Sequence, residues 1–277
     1  MKRALPSAEA AVSNLRERLG LRRWRLLVDP PMAGAVNMAR DWALLSGALR
    51  FDPAPVLRFY SWQPAALSLG RFQRDAGFSR ELLRERGWDL VRRPTGGRAV
   101  LHHLELTYSV ILPPSVAGGT GVRSSYEVLT GLVNRGLGGL LSRRAGDPAP
   151  MRGGGRCPPV AGTPLQANCF ARAEECDTVL GEGKLVGSAQ VRRDGALLQH
   201  GSILLDADLP AWARLFGEPG QIATLSGLMG GPPPAGTVRD AVQRGFEGVG
   251  IGFVEDGLTE TEEREAAESW LDFALEP

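Results

Sequence analysis

Lysine is nearly absent from this chain of 277 residues, which holds Lys2 and Lys184 against 30 arginines. Whatever biases the composition replaces lysine by arginine almost everywhere. Lys184 therefore marks a place where a compact, deprotonatable ammonium serves and a planar guanidinium does not. Cysteine is scarce too: the thiols at 157, 169 and 176 are too few for a disulfide framework and lack the paired C-x-x-C spacing of a zinc site. Histidine occurs only at 102, 103 and 200, with no metal-helix spacing, so no metal site is expected. Charge of one sign is not in excess, and a formal net charge of +1 argues against nucleic acid as a partner. No apolar run approaches the ~20 residues that span a bilayer, which argues against a membrane partner. Residues 1–20 lack the apolar core of a secretory leader, so the expected compartment is the cytoplasm. The phosphate-cradling patterns G-x-x-x-x-G-K and G-x-G-x-x-G are missing as well, and any nucleotide would need another device.

What is present is ordinary globular material: 43% hydrophobic residues, enough to fill a sizeable core over one large or two modest domains. Residues 1–23 read as a basic arm or amphipathic helix, and 24–28 as the first strand. Residues 35–49 have the period of a buried helix, with Asp41 off its apolar face and Asn37 as a cap or a core polar group. Residues 55–62 and 66–70 read as a strand pair, with Arg58 and Ser68 alternating on a half-exposed sheet. Ser79 is a helix cap, and Gly87 ends that helix. Residues 125–141 have helical period despite four glycines, and 142–166 form a long Gly-, Pro- and Arg-rich loop. Strands follow at 177–180, 184–191 and 196–205, then helices at 210–216, 238–246 and 260–275. The two ends of the chain carry opposite charge, an attraction that salt would screen if exposed.

The chemistry concentrates in two regions. Residues 90–113 read as a hairpin whose loop carries Arg92, Arg93, Thr95, Gly96, Gly97, Arg98 and His102. The loop has little to bury, and its adjacent glycines let the backbone come close to another group. It is either a solvated turn or a surface built to meet something. In the second region Cys169 precedes a strand, and a loop thiol is a nucleophile suited to thioester chemistry, or an inert buried thiol. Lys184 opens the next strand as a surface hairpin residue or a functional ammonium, and His200 is a reactive or a core imidazole beside the small Gly201.

Three runs of residues name a family: Arg92-Arg93-Pro94-Thr95-Gly96-Gly97-Arg98-Ala99-Val100-Leu101-His102 with Glu105-Leu106-Thr107-Tyr108-Ser109, then Gly183-Lys184-Leu185-Val186-Gly187-Ser188-Ala189-Gln190, then Gln199-His200-Gly201-Ser202. Together they resemble the lipoate-protein ligase and octanoyltransferase superfamily over roughly residues 24–205. With Cys169-Phe170 in the loop before the lysine hairpin, the chain looks like the cysteine-loop octanoyltransferases. ATP-dependent ligases have an Asn-Asp segment and no cysteine there. Cysteine-based amidotransferases usually lack the His and Glu-Leu-Thr-Tyr-Ser wording after the glycine loop. One departure is plain: His102-His103 stands where the family mostly has His-Asp.

The resemblance implies an α+β fold, a mixed, mainly antiparallel sheet flanked by helices, of the biotin and lipoate protein ligase catalytic-domain type. It makes residues 24–277 a single catalytic domain with a helical C-terminal part. It implies no cofactor, octanoyl-acyl carrier protein as donor, and a lysine of glycine-cleavage H protein or another lipoyl domain as acceptor. Cys169 would be the nucleophile, with Lys184 stabilising thiolate and oxyanion. Gly96, Gly97 and Gly201 would admit the eight-carbon chain, with Gly187, Ser188 and Ala189 also lining the substrate. His102 or His200 would accept the amine proton, and the arginines of the central loop would meet the acidic carrier. The alternatives are an ATP-dependent ligase, a lipoyl or octanoyl amidotransferase, and a non-catalytic acyl-binding relative.

Overall fold

The structure, a computed structural model, describes residues 8–20, 23–145, 168–170, 177–180, 183–217 and 220–277. Helix α1 (Ala8–Gly20) leads into β1 (Trp24–Val28), helix α2 (Gly34–Phe51) and β2 (Val56–Tyr60). Strand β3 (Ala66–Leu69), helix α3 (Arg80–Arg86), β4 (Asp89–Arg92) and β5 (Val100–His102) follow. Next come β6 (Glu105–Leu112), the single turn α4 (Pro114–Ala117) and the long helix α5 (Val122–Ala145). The second half holds β7 (Thr178–Leu180), β8 (Gly183–Arg193) and β9 (Ala196–Leu204), then α6 (Leu209–Phe216), α7 (Leu225–Met229) and α8 (Ala235–Glu247). Strand β10 (Phe253–Glu255), helix α9 (Glu260–Ser269) and β11 (Ala274–Leu275) complete it. Among the described residues no helix is long and apolar enough to cross a membrane.

These strands build a seven-stranded sheet in the order β10-β1-β2-β6-β9-β8-β7 and a four-stranded sheet in the order β11-β4-β3-β5. In the large sheet β1 runs parallel to β10 and β2, and every other pairing is antiparallel. In the small sheet only β3 and β4 run parallel. The fold is α+β with mixed, mainly antiparallel sheets. Strands β6 and β9 are buried along their whole length because the large sheet is covered on both faces. Val110 and Leu112 pack with Leu15, Leu132, Leu137 and Phe246, whereas Ile111 packs with Leu44, Leu45 and Leu198 under α2.

Several expectations change here. The stretch 90–113 is not a hairpin, because β4 belongs to the small sheet and β6 to the large one, with β5 between them in sequence. Strands β2 and β3 likewise lie in different sheets and do not pair. Arg58 and Ser68 are not half-exposed; both are fully buried, because each stands between packed layers. Asp41 is also fully buried, on the side of α2 that faces the large sheet. Helix α9 stops at Ser269, where a 3-10 turn at Trp270–Asp272 brings β11 back to pair with β4. Most of the loop expected at 142–166 lies outside the described residues. The opposite charges of the two ends meet in a largely buried ion pair: Arg25 contacts Glu262 at 2.8 Å and Asp256 at 2.6 Å. That pair escapes most of the screening an exposed one would suffer.

Candidate active site

A narrow cleft opens where the two sheets face each other. Met38 from α2, Tyr60 and Trp62 at the end of β2, and Ser68 from β3 form one side. Gly187, Ser188 and Ala189 from β8, with His200, Gly201 and Ser202 from β9, form another. Arg93, Gly97, Val100, His102, Thr107 and Cys169 complete the lining.

Cys169 and Lys184, 15 residues apart in sequence, meet here. The Cys169 backbone N–H donates to the Ala99 carbonyl at 2.8 Å, and Asn168 Oδ1 accepts from the Phe170 N–H, which fixes the short segment before the thiol. Lys184 Nζ lies 3.3 Å from Cys169 Sγ, 3.2 Å from the Cys169 carbonyl oxygen and 2.8 Å from Asp177 Oδ2. At 2% exposure its ammonium is nearly stripped of water. Desolvation works against that charge, but Cys169 and Asp177 more than offset it and raise the Lys184 pKa above its ordinary value. Lys184 is therefore no surface hairpin residue. Asp177, which sequence reasoning missed, comes opposite it because the β7–β8 hairpin folds back there; the signal was the short turn between residues 180 and 184.

Arg93 organises the opposite wall. Its guanidinium is buried and donates to the carbonyls of Ser68, Gly96 and Arg98 and to the hydroxyls of Ser68 and Thr95. All these acceptors are neutral. Burial pulls its pKa down to about 10, with only the nearby Cys169 opposing. Arg93 thus cannot meet a carrier protein, contrary to expectation. Arg92 is also engaged inward, on the carbonyls of Gly70 and Gln73.

Two hydroxyl–imidazole chains start from Arg93. The Asp41 carboxylate accepts from Arg58, Tyr60, Ser109 and His200. Full burial works against its charge, yet Arg58 and those hydrogen bonds hold its pKa at about 2. An ionised Asp41 can only accept, so His200 Nδ1 donates to it, while His200 Nε2 shares a hydrogen bond of 2.7 Å with the Thr95 hydroxyl, which in turn accepts from Arg93. His102 repeats the pattern: Ser68 Oγ accepts from Arg93 and shares a hydrogen bond of 2.8 Å with His102 Nε2. The His102 ring stacks on Trp62 at 3.8 Å, and its Nδ1 faces Glu105 at 3.7 Å without a hydrogen bond. Burial lowers the His102 pKa despite Glu105 and keeps the ring neutral. Both imidazoles are thus anchored in the wall of the cleft, His102 by Ser68 and Trp62 and His200 by Asp41 and Thr95.

The glycines serve the protein's own side chains. A Cβ at Gly201 would stand 2.5 Å from Ser188 Oγ and 2.6 Å from the Tyr108 ring, and one at Gly187 would crowd Lys184 and Phe170. A Cβ at Gly70 would strike the Gly97 carbonyl oxygen at 2.0 Å, so the close approach made by the Gly96-Gly97 loop is to β3's end. Gly97 has φ +94°, a conformation glycine adopts without strain, and it lines the cleft, while Gly96 does not. Thr95 is buried behind the wall and Arg98 stands beside it at the surface edge. Of the expected residues, then, nine line the cleft, counting Cys169, and Lys184 reaches it through the sulfur. Asp41, Trp62, Glu105 and Asp177 are among the parts that sequence reasoning did not assign. His103, the departure from the family pattern, lies outside the cleft against Trp88.

Residues 33–247 match the family model of the lipoyl protein ligase A/B catalytic domain. The chain is 39% identical to the octanoyltransferase LipM of Symbiobacterium thermophilum over 259 residues, covering 88% of this chain and 92% of that one. It is 39% identical to the octanoyltransferase LipM of Kyrpidia tusciae over 272 residues, covering 91% and 96%. Among solved structures, lipoate-protein ligase A bound with ATP superposes with TM-score 0.75 at 25% identity, covering 90% of this chain and 94% of that one. A bi-partite lipoate protein ligase from Thermoplasma acidophilum superposes with TM-score 0.70 at 25% identity, covering 90% and 92%.

Proposed function

Since the chain belongs to the lipoyl protein ligase A/B catalytic-domain family and is an octanoyltransferase of lipoate biosynthesis, we propose that it carries the octanoyl group as a thioester on Cys169. The donor is octanoyl-acyl carrier protein, and the acceptor is a lysine of glycine-cleavage H protein or another lipoyl domain, in the cytoplasm. The observation that carries this reading is the Lys184 ammonium held 3.3 Å from Cys169 Sγ by buried Asp177.

In the first half-reaction the Cys169 thiolate attacks the thioester carbonyl. The new C–S bond to Cys169 forms, the donor's C–S bond breaks, and the carrier leaves as a thiolate that takes up a proton. Lys184 supplies positive charge where the oxyanion develops, in a site with little competing water. In the second half the acceptor amine attacks the acyl-Cys169 carbonyl; a C–N bond forms, the C–S bond breaks, and the departing Cys169 sulfur takes the proton lost by the amine. Thioester exchange is close to isoenergetic, and amide formation drives the sequence forward. His102 and His200 act in this scheme as oriented wall groups.

The test is intact-mass analysis after incubation with octanoyl-carrier protein in the absence of ATP. An octanoyl adduct on the wild type that is missing in Cys169→Ala is expected. Modification of H protein that requires ATP and free octanoate, with no adduct, would instead identify an ATP-dependent ligase.

A further inference from the structure

Two of the arginines expected to meet a partner, Arg92 and Arg93, are turned inward, yet a second basic group stands next to them. After β3 the chain forms a loop in which Arg71, Phe72 and Arg74 are exposed; Phe72, at 85%, is the most exposed large apolar side chain among the described residues. The loop is not loose. The Arg71 N–H donates to the Thr95 carbonyl, Gly70 packs on the Gly96-Gly97 backbone, and Arg92 ties the carbonyls of Gly70 and Gln73 from below. Gly97 lines the cleft that holds Cys169, so this loop is fixed directly against the cleft's wall.

Its charges are unspent. Among the described residues Arg71 makes only a stacking contact over Phe72 at 5.4 Å, and neither Arg71, Arg74 nor neighbouring Arg98 has an ion pair. The one acid of the loop, Asp75, is paired with Arg80 at 2.7 Å. An exposed aromatic ring on a tethered loop, flanked by guanidinium groups without ion pairs, is the composition of a recognition surface rather than of a solvated turn.

We propose that Arg71, Phe72 and Arg74 form the docking surface for the acyl donor, an acidic carrier protein that presents its thioester on a phosphate-linked arm. The proposal rests on the reading that Cys169 is acylated by such a donor. Charge complementarity selects this occupant: the donor offers acidic side chains and an anionic arm that must pass the cleft's edge, and guanidinium groups bind phosphate and carboxylate oxygens well.

The experiment compares wild type, Arg71→Glu/Arg74→Glu and Phe72→Ala in single-turnover acylation of Cys169, followed by intact mass. Donors are octanoyl-carrier protein and the small neutral thioester octanoyl-N-acetylcysteamine, at low and at physiological salt. Charge reversal is expected to lower the carrier rate constant kcat/KM by about tenfold or more at low salt and to flatten its salt dependence, with the small thioester within about twofold of wild type. Phe72→Ala is expected to weaken the carrier reaction severalfold and leave the small donor unchanged. Equal losses with both donors would overturn the proposal, as would an unchanged carrier rate, or a loss confined to transfer from acyl-enzyme to the lipoyl domain. If neither thioester acylates the wild type, the Cys169 reading fails; titration of the carrier itself then decides the surface, upheld by binding that charge reversal abolishes and overturned by no binding.

Discussion

Lys184 is the residue at which composition and geometry agree most closely. Its isolation among 30 arginines marked it, and burial against Asp177 and Cys169 explains it: one compact ammonium fits three acceptors within 3.3 Å, and a planar fork does not. Lys184→Arg should therefore fail to replace it, lowering the rate of Cys169 acylation by about a hundredfold, in the range that loss of one oxyanion stabiliser costs; quenched-flow mass analysis measures this, and a rate near wild type would exclude the ammonium from the step. Asp41 was the opposite case. A carboxylate read as solvent-facing sits at the centre of the core, bonded to Arg58, Tyr60, Ser109 and His200. Its pKa is about 2 in the fold against an ordinary 3.8, so the stability it contributes is complete above 3.8 and is lost as pH falls toward about 2. At about 1.4 kcal/mol per unit, that loss is about 2 kcal/mol. His102, also depressed, adds to it in the same direction from its ordinary value of 6.5 downward, since the folded state resists protonating it. Urea midpoints between pH 7 and pH 2.5 should fall on both legs, and His102→Gln should flatten the upper leg only.

At the scale of elements, local signals were good guides, while pairing signals held for β7–β8–β9 and failed for residues 55–70 and 90–113. Ser79 does cap α3 by accepting from the Leu82 N–H, and Gly87 ends it with φ +61°. Asn37, read as a cap or a core polar group, is the second, donating to the carbonyls of Met32 and Ser61. Such devices act within a few residues and leave their mark in the sequence. Helix α5 shows what propensity cannot say. Its glycines weaken it as an isolated helix, but Gly136 and Gly245 let α5 and α8 touch backbone to backbone: a Cβ on either would stand 2.2 Å from a carbonyl oxygen of the other helix. Propensity alone gives Gly245→Ala a gain of up to about 1 kcal/mol. Overpacking against backbone, which cannot step aside, gives a loss of about 2 to 3 kcal/mol. The loss should win, read as a lower urea midpoint with unchanged m-value, and a rise in midpoint would show that the helices separate freely.

For the whole molecule the decisive event is the meeting of two sheets. Trp62 and His102 stack across it, Arg93 spans from β3 to the glycine loop, and the Arg25–Glu262 pair locks the first strand to the last α-helix. Removing that cation leaves Glu262 charged and buried, so Arg25→Ala should cost about 3 kcal/mol, little changed between low salt and 0.5 M salt; a small, salt-sensitive loss would mean that the pair is open to water. The sequence by itself determined most of the elements, because periodicity and short-range spacing are properties of neighbours along the chain. Its motif runs carried the family, and the α+β class and the roles expected of Cys169 and Lys184 came with that resemblance rather than from composition or periodicity. Only the tertiary structure decided that residues 90–113 bridge two sheets instead of forming a hairpin, that Arg93 faces inward while Arg71 and Arg74 face outward, and that Asp41 and Asp177 are buried partners. Those outcomes depend on which strands hydrogen-bond and which faces become covered, and a buried charge is stable only where the fold brings its counter-charge.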